Sequence, residues 1–515
     1  MKIFLVIVCI LLAFSVLGQE PVMLSLQGYG GSDDDQVTSY TTKTNDGGFI
    51  ISLVSFSNSG TGNIDSFCAI GGYRTIFLKY NADASILEWT KCYENSGDSF
   101  ILYLFPTNDG GFVLGGEFNS AIGEGFLICK EDGLGNIIWS HSYSKGTGAL
   151  VHDMIATNDG GYIMIGNVFY TDTNFTVHNS GSLNADIAVI KLDSFGNKVW
   201  SKAIGGTEDD NGSKVLETAG GYYVIGNTAS NDSNCTGNHG AYDLYVVRLD
   251  NNGNIVWHND IGGTGSDGGK SAISNGKGGA IIFGFTNSID GDVSHPTVYN
   301  GGYWLINLDS SNHIIWDNCY GGAYCQPYAV CKAINGNIWL TGTSSHTGKY
   351  LDTAYGGNDA WVVHTDSVGN FLNAKVLGSN MNDEGMMIYP LSNGNVISGG
   401  FYSGNNGLFT SLGFYGATDI FLTIFSPWTT KVSQISNTEN EVRIFPNPAS
   451  DQVTIEIEKK DSYTLEIYDV IGRLIYKTTI ADNQQIAVNE WRKGTYCVHL
   501  IAENGCRQVR KLLID

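Results

Sequence analysis

The chain has 515 residues, of which 67 are glycine and 8 are proline, and its formal charge is −23. More than one domain is expected at this length. The acidic balance excludes a nucleic-acid partner, which needs a basic surface to neutralise phosphates, and is typical of a secreted protein. Aromatic residues make up 12% of the chain and are punctuated by glycine, which predicts an all-β protein of many short strands.

Residues 1–18 have the pattern of a secretory signal peptide. Lys2 supplies the positive start, an apolar run follows, and small residues precede Gln19. A membrane anchor is the competing interpretation, but the run is short for a span of about 20 residues. We therefore expect an exported mature chain without a transmembrane segment.

The cysteines show no regular spacing. Nine of the ten remain after removal of Cys9 (10 − 1 = 9), so at least one lacks an intramolecular partner. Isolated buried thiols are therefore favoured over a disulfide framework.

One short phrase recurs seven times. Residues 44–50, 107–113 and 157–163 read TNDGGFI, TNDGGFV and TNDGGYI. Degenerate copies follow, about 58 residues apart, at 217–223, 275–281, 334–340 and 392–398. The clearest full copy, 205–263, divides into four strands joined by turns. Such a repeat predicts a β-propeller, because its blades are four-stranded sheets.

The two ends of the repeat region complement each other. The last copy lacks a fourth strand, whereas residues 22–31 resemble a fourth strand placed before the first copy. We therefore predict a seven-bladed propeller over residues 19–430, in which the N-terminal strand closes the last blade. Six or eight blades are the alternatives.

The predicted topology separates two ends of the blades. The DGG turns and the third-to-fourth strand turns are short and share one end. The long second-to-third strand loops and the corners between blades share the other end, where we expect a ligand. The acids of this predicted ligand face are Asp33, Asp34, Asp35, Glu208, Asp209, Asp210, Asp267, Asp383 and Glu384. The alternative is that they anchor the first strand of each blade.

Composition changes after a short linker at residues 431–440, and residues 441–515 predict a small Ig-like β-sandwich. Their motifs resemble the type A C-terminal sorting domain of the Bacteroidetes type IX secretion system. The matching residues are Phe445, Pro446, Asn447, Pro448, Gly472, Arg473, Gly494, Tyr496 and Lys511. The resemblance implies that the type IX secretion machinery is a partner. An ordinary Ig-like binding module is the alternative.

The repeats resemble glycine-rich propeller repeats of other cargo of that system, which implies an architecture and no activity. Between residues 19 and 430 there are only two arginines, Arg74 and Arg248, so a sialidase-like arginine triad is excluded. We find no G-x-S-x-G or H-E-x-x-H motif, and we nominate no catalytic residue and no cofactor other than calcium.

Two equivalent loops carry clustered oxygen ligands. Asn287, Asp290 and Asp292 lie in one loop, and Asp232 and Asn234 lie in the other. Calcium prefers such ligands, although neither loop completes an EF-hand pattern. Turn capping by the same side chains is the alternative.

The sequence favours a secreted or surface-held, non-catalytic propeller that binds a glycan or protein ligand. The alternative is a secreted hydrolase or lyase that acts on polysaccharide with carboxylates at the mouth of the channel. A structural module without a small ligand is the third interpretation.

Overall fold

The computed structural model describes residues 21–58, 60–68, 72–95, 100–120, 123–143, 149–169, 174–175, 184–296, 301–322, 324–345, 350–351, 354–426, 442–457, 462–469, 474–502 and 507–514. The predicted signal peptide, the predicted linker, Gly472 and Arg473 lie outside these residues. The chain forms two compact units, residues 1–429 and 430–515. No helix in the described part of the chain is long and apolar enough to cross a membrane.

The first unit consists almost entirely of β-strands. In chain order they are β1 (Val22–Tyr29), β2 (Asp35–Lys43), β3 (Phe49–Ser55), β4 (Arg74–Tyr80), β5 (Leu87–Glu94), β6 (Phe100–Pro106), β7 (Phe112–Ser120), β8 (Gly123–Glu131), β9 (Ile137–Tyr143), β10 (Leu150–Ala156), β11 (Tyr162–Val168), β12 (Asp186–Leu192), β13 (Lys198–Ile204), β14 (Asp210–Thr218), β15 (Gly221–Thr228), β16 (Asp243–Leu249), β17 (Ile255–Ile261), β18 (Asp267–Ser274), β19 (Ala280–Thr286), β20 (Gly302–Leu308), β21 (Ile314–Tyr320), β22 (Gln326–Lys332), β23 (Ile338–Ser344), β24 (Asp359–Thr365), β25 (Phe371–Leu377), β26 (Asp383–Pro390), β27 (Val396–Tyr402) and β28 (Asp419–Ser426). Two short 3₁₀ turns, Asn63–Ser66 and Gly407–Ser411, interrupt the loops.

These strands form antiparallel sheets of four. Sheets 1 to 6 each take four consecutive strands, from β2–β5 to β22–β25. Sheet 7 combines β26, β27 and β28 with β1. Val22 lies opposite Ser426 and Tyr29 opposite Ile420, so the N-terminal strand completes the last sheet, as its sequence predicted.

Successive sheets share their hydrophobic cores. One core joins Ile225 of sheet 4 to Trp304 of sheet 5, and another joins Leu53 of sheet 1 to Ile397 of sheet 7. Second and third strands such as β3 and β4 are almost wholly buried, whereas fourth strands such as β5 are only partly buried. First strands contact first strands of the neighbouring sheets, for example β14 with β18 and β2 with β26. The first strands therefore lie on the side where neighbouring sheets approach one another, which we call the inner side.

The recurring tryptophans brace one sheet against the next. Trp200 of β13 donates a hydrogen bond from its indole N–H to the carbonyl of Asn251, in the turn of sheet 4. Gly253 of that turn has a φ of +79°, and a Cβ there would lie 2.7 Å from the Trp200 ring. Glycine is thus required both by the turn and by the close approach of the indole.

The TNDGG turns are tight hairpins that hold a lysine of their own sheet. In sheet 1, Asp46 accepts hydrogen bonds from Thr44 and from the amide of Gly48. It also pairs with Lys79 at 2.9 Å, which is buried in the third strand. Sheets 2 and 3 repeat this pair as Asp109 with Lys130 and Asp159 with Lys191.

Among the described residues, the cysteines depart from the predicted pattern of buried thiols in two places. Cys129, Cys235, Cys325 and Cys331 are buried free thiols and Cys319 is also buried, whereas Cys497 is exposed. Cys68 and Cys92 form a disulfide across a separation of 24 residues. This pair was not predicted, because Cys68 lies in the loop before β4 and reaches Cys92 of β5 only in the folded sheet.

The second unit has two antiparallel sheets around one core. Its strands are β29 (Val442–Phe445), β30 (Gln452–Ile457), β31 (Tyr463–Asp469), β32 (Leu474–Ile480), β33 (Gln484–Ala487), β34 (Gly494–Ala502) and β35 (Arg507–Ile514). They pair as β29-β30-β33 and β32-β31-β34-β35. Both sheets contribute to the core, for example through Ile455 and Leu465.

The predicted sorting motif folds against the terminal strand. Asn447 donates its side-chain amide to the carbonyl of Lys511 at 2.7 Å and accepts the amide of Leu513 at 2.8 Å. Tyr496 is buried and donates its hydroxyl to the carbonyl of Arg492. Phe445 is 47% exposed at the end of β29. The motif therefore joins the start of the second unit to its last strand.

Candidate functional site

The predicted ligand-face acids separate into a buried and a solvent-accessible group. Asp35, Asp210, Asp267 and Asp383 are each 0% exposed, and each is the first residue of a sheet's first strand. The solvent-accessible members are Asp33, Asp34, Glu208, Asp209 and Glu384. Only the second group retains carboxylates that a ligand at the surface could reach.

The buried group fastens the corners between sheets. Asp210 accepts the amide of Gly206, four residues earlier, at 2.7 Å and the hydroxyls of Thr228 and Ser230. Asp267 repeats the amide contact with Gly263 at 2.8 Å. These bonds satisfy corner amides that the sheets leave unpaired. They correspond to the alternative interpretation, that the corner acids anchor the first strands.

The proposed calcium ligands lie against the same corners. Asp290 accepts the amide of Thr264 at 2.8 Å, and Asp232 accepts the amide of Thr207 at 2.9 Å. Asp292 accepts the amide of Gly262 at 3.2 Å. The remaining two members are Asn234, whose amide donates to the Gly205 carbonyl, and Asn287, which lines a cavity described below.

The geometry of these loops matches the capping alternative. No group of three or more His, Cys, Asp or Glu side chains in the described ranges is placed to hold a metal ion. Calcium binding at the loops remains a prediction.

A second set of buried acids lies beside the corners and was missed in the sequence. Asp243, Asp359 and Asp419 begin third strands and are at most 1% exposed. A Cβ on corner glycine Gly378 would lie 2.0 Å from Asp359 Oδ1, so the carboxylate touches the corner backbone. Burial raises the pKa of Asp359 to about 6 and that of Asp419 to about 7. Their position at the start of an apolar run was the signal that could have identified them.

Every first strand of the described sheets contains a register shift at an equivalent position. In sheets 3 to 7 one residue is bulged, and its predecessor is buried. The bulged residues of these sheets are His152, Ser213, Lys270, Tyr328 and Met386, all partly or largely exposed. Sheet 2 bulges at Leu102, and in sheet 1 the shift spans residues 38–40. Bulges re-aim side chains and are common beside binding sites.

Two of the bulged residues line a cavity of about 690 Å³. It lies where β18 and β22 approach the ends of β15 and β19 that lead into the long loops. Its lining residues are Asn227, Gly269, Lys270, Phe285, Asn287, Tyr324, Cys325, Gln326, Pro327 and Tyr328. Three amides, three aromatic rings and one lysine thus surround a space that could hold a small ligand.

The polar groups of the cavity have different partners. The Asn227 carbonyl oxygen accepts the amide of Gly269 at 2.8 Å, which fixes the orientation of that side chain. Tyr328 donates its hydroxyl to Glu384 at 2.6 Å, and burial together with this carboxylate raises the pKa of Tyr328. Lys270 has no hydrogen bond or ion pair within the described part of the chain. Glu384 is therefore the predicted ligand-face acid that the structure connects to the cavity.

Comparison with known proteins identifies the C-terminal segment. Residues 443–515 match the family described as secretion system C-terminal sorting domain. This match supports the resemblance to type IX secretion cargo, and it implies interaction with that machinery and export to the cell surface or secretion. The matched segment is less than half of the chain, so it assigns no family to the repeats.

One curated relative and several solved structures are similar to the chain. An endo-acting ulvan lyase from Formosa agariphila is 36% identical over 77 residues, and the match covers 15% of the length of each protein. Chaetomium thermophilum Sqt1, bound to the N-terminus of ribosomal protein L10, has 10% identity and a TM-score of 0.41 over 77% of this chain and 98% of its own.

A protein of unknown function from Dyadobacter fermentans has 10% identity and a TM-score of 0.37 over 79% of this chain and 98% of its own. The extracellular domain of a hybrid two component system from B. thetaiotaomicron has 11% identity and a TM-score of 0.24 over 93% of this chain and 72% of its own. Likenesses this weak carry no argument about function.

Proposed function

We propose that residues 19–430 form a seven-bladed β-propeller and that residues 441–515 form an Ig-like sorting domain that directs type IX export. Seven four-stranded sheets among the described residues of the first unit support the blade count. The core shared by sheets 7 and 1 supports closure, as does the pairing of β1 with β28. The two-sheet core of the second unit and the match at 443–515 support the sorting domain.

We propose further that the exported protein is a non-catalytic binding or adhesion protein whose ligand is a glycan. The observation that carries this proposal is the cavity at the inner strands. Aromatic rings stack on sugar faces, whereas amides hydrogen-bond to sugar hydroxyls. Phe285, Tyr324 and Tyr328 supply the first kind of contact, and Asn227, Asn287 and Gln326 supply the second.

The composition of the cavity wall favours binding over hydrolysis. Most glycosidases flank the scissile bond with two carboxylates. None of the residues that line this cavity is an aspartate or a glutamate. The carboxylate of Glu384, which contacts the cavity wall through Tyr328, already accepts the hydroxyl of that tyrosine.

The second candidate function is a polysaccharide hydrolase or lyase. The hydrogen bond between Tyr328 and Glu384 favours it, because a tyrosine held by a carboxylate at the cavity wall is a plausible proton donor or acceptor. The similarity to the ulvan lyase does not support it. That match of 77 residues is close in length to the sorting-domain match, which spans 73 (515 − 443 + 1).

A glycan array with the purified propeller, together with a reducing-sugar assay on the same polysaccharides, tests the proposal. We expect binding without release of products. Product release would establish the enzymatic alternative. Absence of both binding and product release would contradict glycan recognition and favour a structural module.

A further inference from the structure

We infer that the glycan bound in this cavity carries an acidic group, a carboxylate or a sulfate, and that Lys270 is the residue that recognises it. This inference rests on the proposed function and adds the chemical class of the ligand. Its basis is the position of one unpaired cation at the wall of a cavity that is otherwise neutral.

The position of Lys270 is fixed by the backbone. It is the bulged residue between Gly269, opposite Gly284, and Ser271, opposite Phe283, in sheet 5. The amide of Gly269 is held by the side chain of Asn227, from the neighbouring sheet. A regular strand would place residue 270 on a face of the sheet, whereas the bulge re-aims it toward the cavity it lines.

Lys270 differs from lysines of other sheets that pair with carboxylates. Lys214, one residue beyond the bulge of sheet 4, pairs with Asp153 at 2.9 Å. Lys91 pairs with Glu131 at 2.6 Å. Lys270 keeps contact with solvent and has no such partner in the described ranges. In a chain with a formal charge of −23, a lysine left without a carboxylate at a cavity wall is available for an external anion.

The surroundings of Lys270 leave its ammonium group poorly solvated, a penalty that a bound anion would offset. Burial among the inner strands lowers the pKa of Lys270. His152 is the bulged residue of sheet 3. Burial is the main cause that lowers its pKa to about 4, and the positive charge of Lys270 contributes. His152 is therefore neutral at pH 7, and its ring nitrogens can form hydrogen bonds without adding charge. A restricted, partly desolvated space makes a charge-assisted hydrogen bond stronger than in bulk water.

The test uses an immobilised panel of neutral, uronic-acid-containing and sulfated oligosaccharides with the full mature chain. We expect the hits to be acidic members, and the two acidic classes distinguish a carboxylate from a sulfate ligand. Affinities for the best hit are then measured for Lys270→Met, Lys270→Arg and Lys277→Met. Lys277 is an exposed lysine in the hairpin turn after β18, so its removal is a matched change of charge.

Lys270→Met should weaken binding about tenfold to a hundredfold, the effect of one lost charge-assisted hydrogen bond. Lys270→Arg should retain most of the affinity, and Lys277→Met should bind like the unmodified chain. Equal binding of neutral and acidic members would overturn the inference and leave glycan binding intact, as would unchanged affinity of a folded Lys270→Met protein. Absence of binding to every member would contradict the proposed function itself.

Discussion

The two ends of the sheets are stabilised by different kinds of hydrogen bonds. At the hairpin end, each TNDGG turn is stabilised by residues close in sequence, such as Thr44, Asp46 and Gly48. At the long-loop end, corners are fastened both by a nearby amide and by side chains from further along the chain. Asp210, for example, binds Gly206, Thr228 and Ser230.

This difference explains why the most conspicuous motif is not the site. A motif that completes its own hydrogen bonds leaves few polar groups for a ligand. The corners and bulges instead combine residues from neighbouring sheets, and they leave Lys270 without a partner. The repeated turns thus organise the fold, whereas the corners and bulges, which depend on neighbouring strands, provide the cavity.

The largest effect is expected from breaking a corner. Asp210→Ala would leave the Gly206 amide and two hydroxyls without their acceptor in a buried corner. We expect a loss of roughly 2–4 kcal/mol in the free energy of unfolding, measured by urea denaturation. The adjacent, exposed Glu208→Gln is the control and should change stability little. Equal effects of the two variants would contradict the separation of buried and exposed acids.

The second effect concerns pH. Burial raises the pKa of Asp210 to about 6 and, with Asp243 and Asp210 nearby, that of Asp260 to about 7, from an ordinary value of 3.8. As pH rises above about 4, the unfolded chain releases these protons first, so the folded state loses relative stability until about pH 7.

The melting temperature of the first unit should therefore be higher at pH 5 than at pH 8. Asp260→Asn should reduce this difference. A melting temperature that rises from pH 5 to pH 8 would contradict the burial of protonated corner acids.

A third prediction separates capping from calcium in the long loops. If Asp290 only caps the Thr264 amide, Asp290→Ala should cost about 1 kcal/mol, as loss of a cap does. The melting temperature should then be the same in calcium and in excess chelator. A rise with calcium that disappears in Asp290→Ala would establish the calcium site instead.

The smallest effect is expected at the hairpin end. The hydrogen bond from Thr44 and the ion pair with Lys79 lower the pKa of Asp46 to about 2. The stability from this group is present above the ordinary pKa of 3.8 and lost as pH falls toward 2. Because Asp46 is 58% exposed, Asp46→Asn should cost less than about 1 kcal/mol at pH 7. A loss equal to that of Asp210→Ala would remove the contrast between the ends.

Sequence periodicity predicted the features that are determined by residues close together in the chain. The strands, the turns and the pairing of residues 22–29 with the last sheet followed from repeated apolar runs and glycine turns. The burial of Asp35 beside the exposed Asp33 could not be predicted, because all three acids of that corner look alike in sequence.

The candidate site was predicted only as a region. The expected ligand end contains the cavity, but Lys270 and Tyr328 were not among the nominated residues. Their roles depend on bulges, and a bulge is set by pairing with the neighbouring strand rather than by the residue itself. The sorting motif was identified because several short motifs occur in the order of the family between residues 445 and 511.

Hydrogen–deuterium exchange with and without the best array ligand tests the central claim most directly, because it compares both ends in the unmodified chain. We predict protection in peptides that contain Asn227, Lys270 and residues 324–328, and unchanged exchange in the TNDGG turns at 44–48, 107–111 and 157–161. Protection confined to those turns, with none at the inner strands, would contradict the assignment of ligand binding to the cavity.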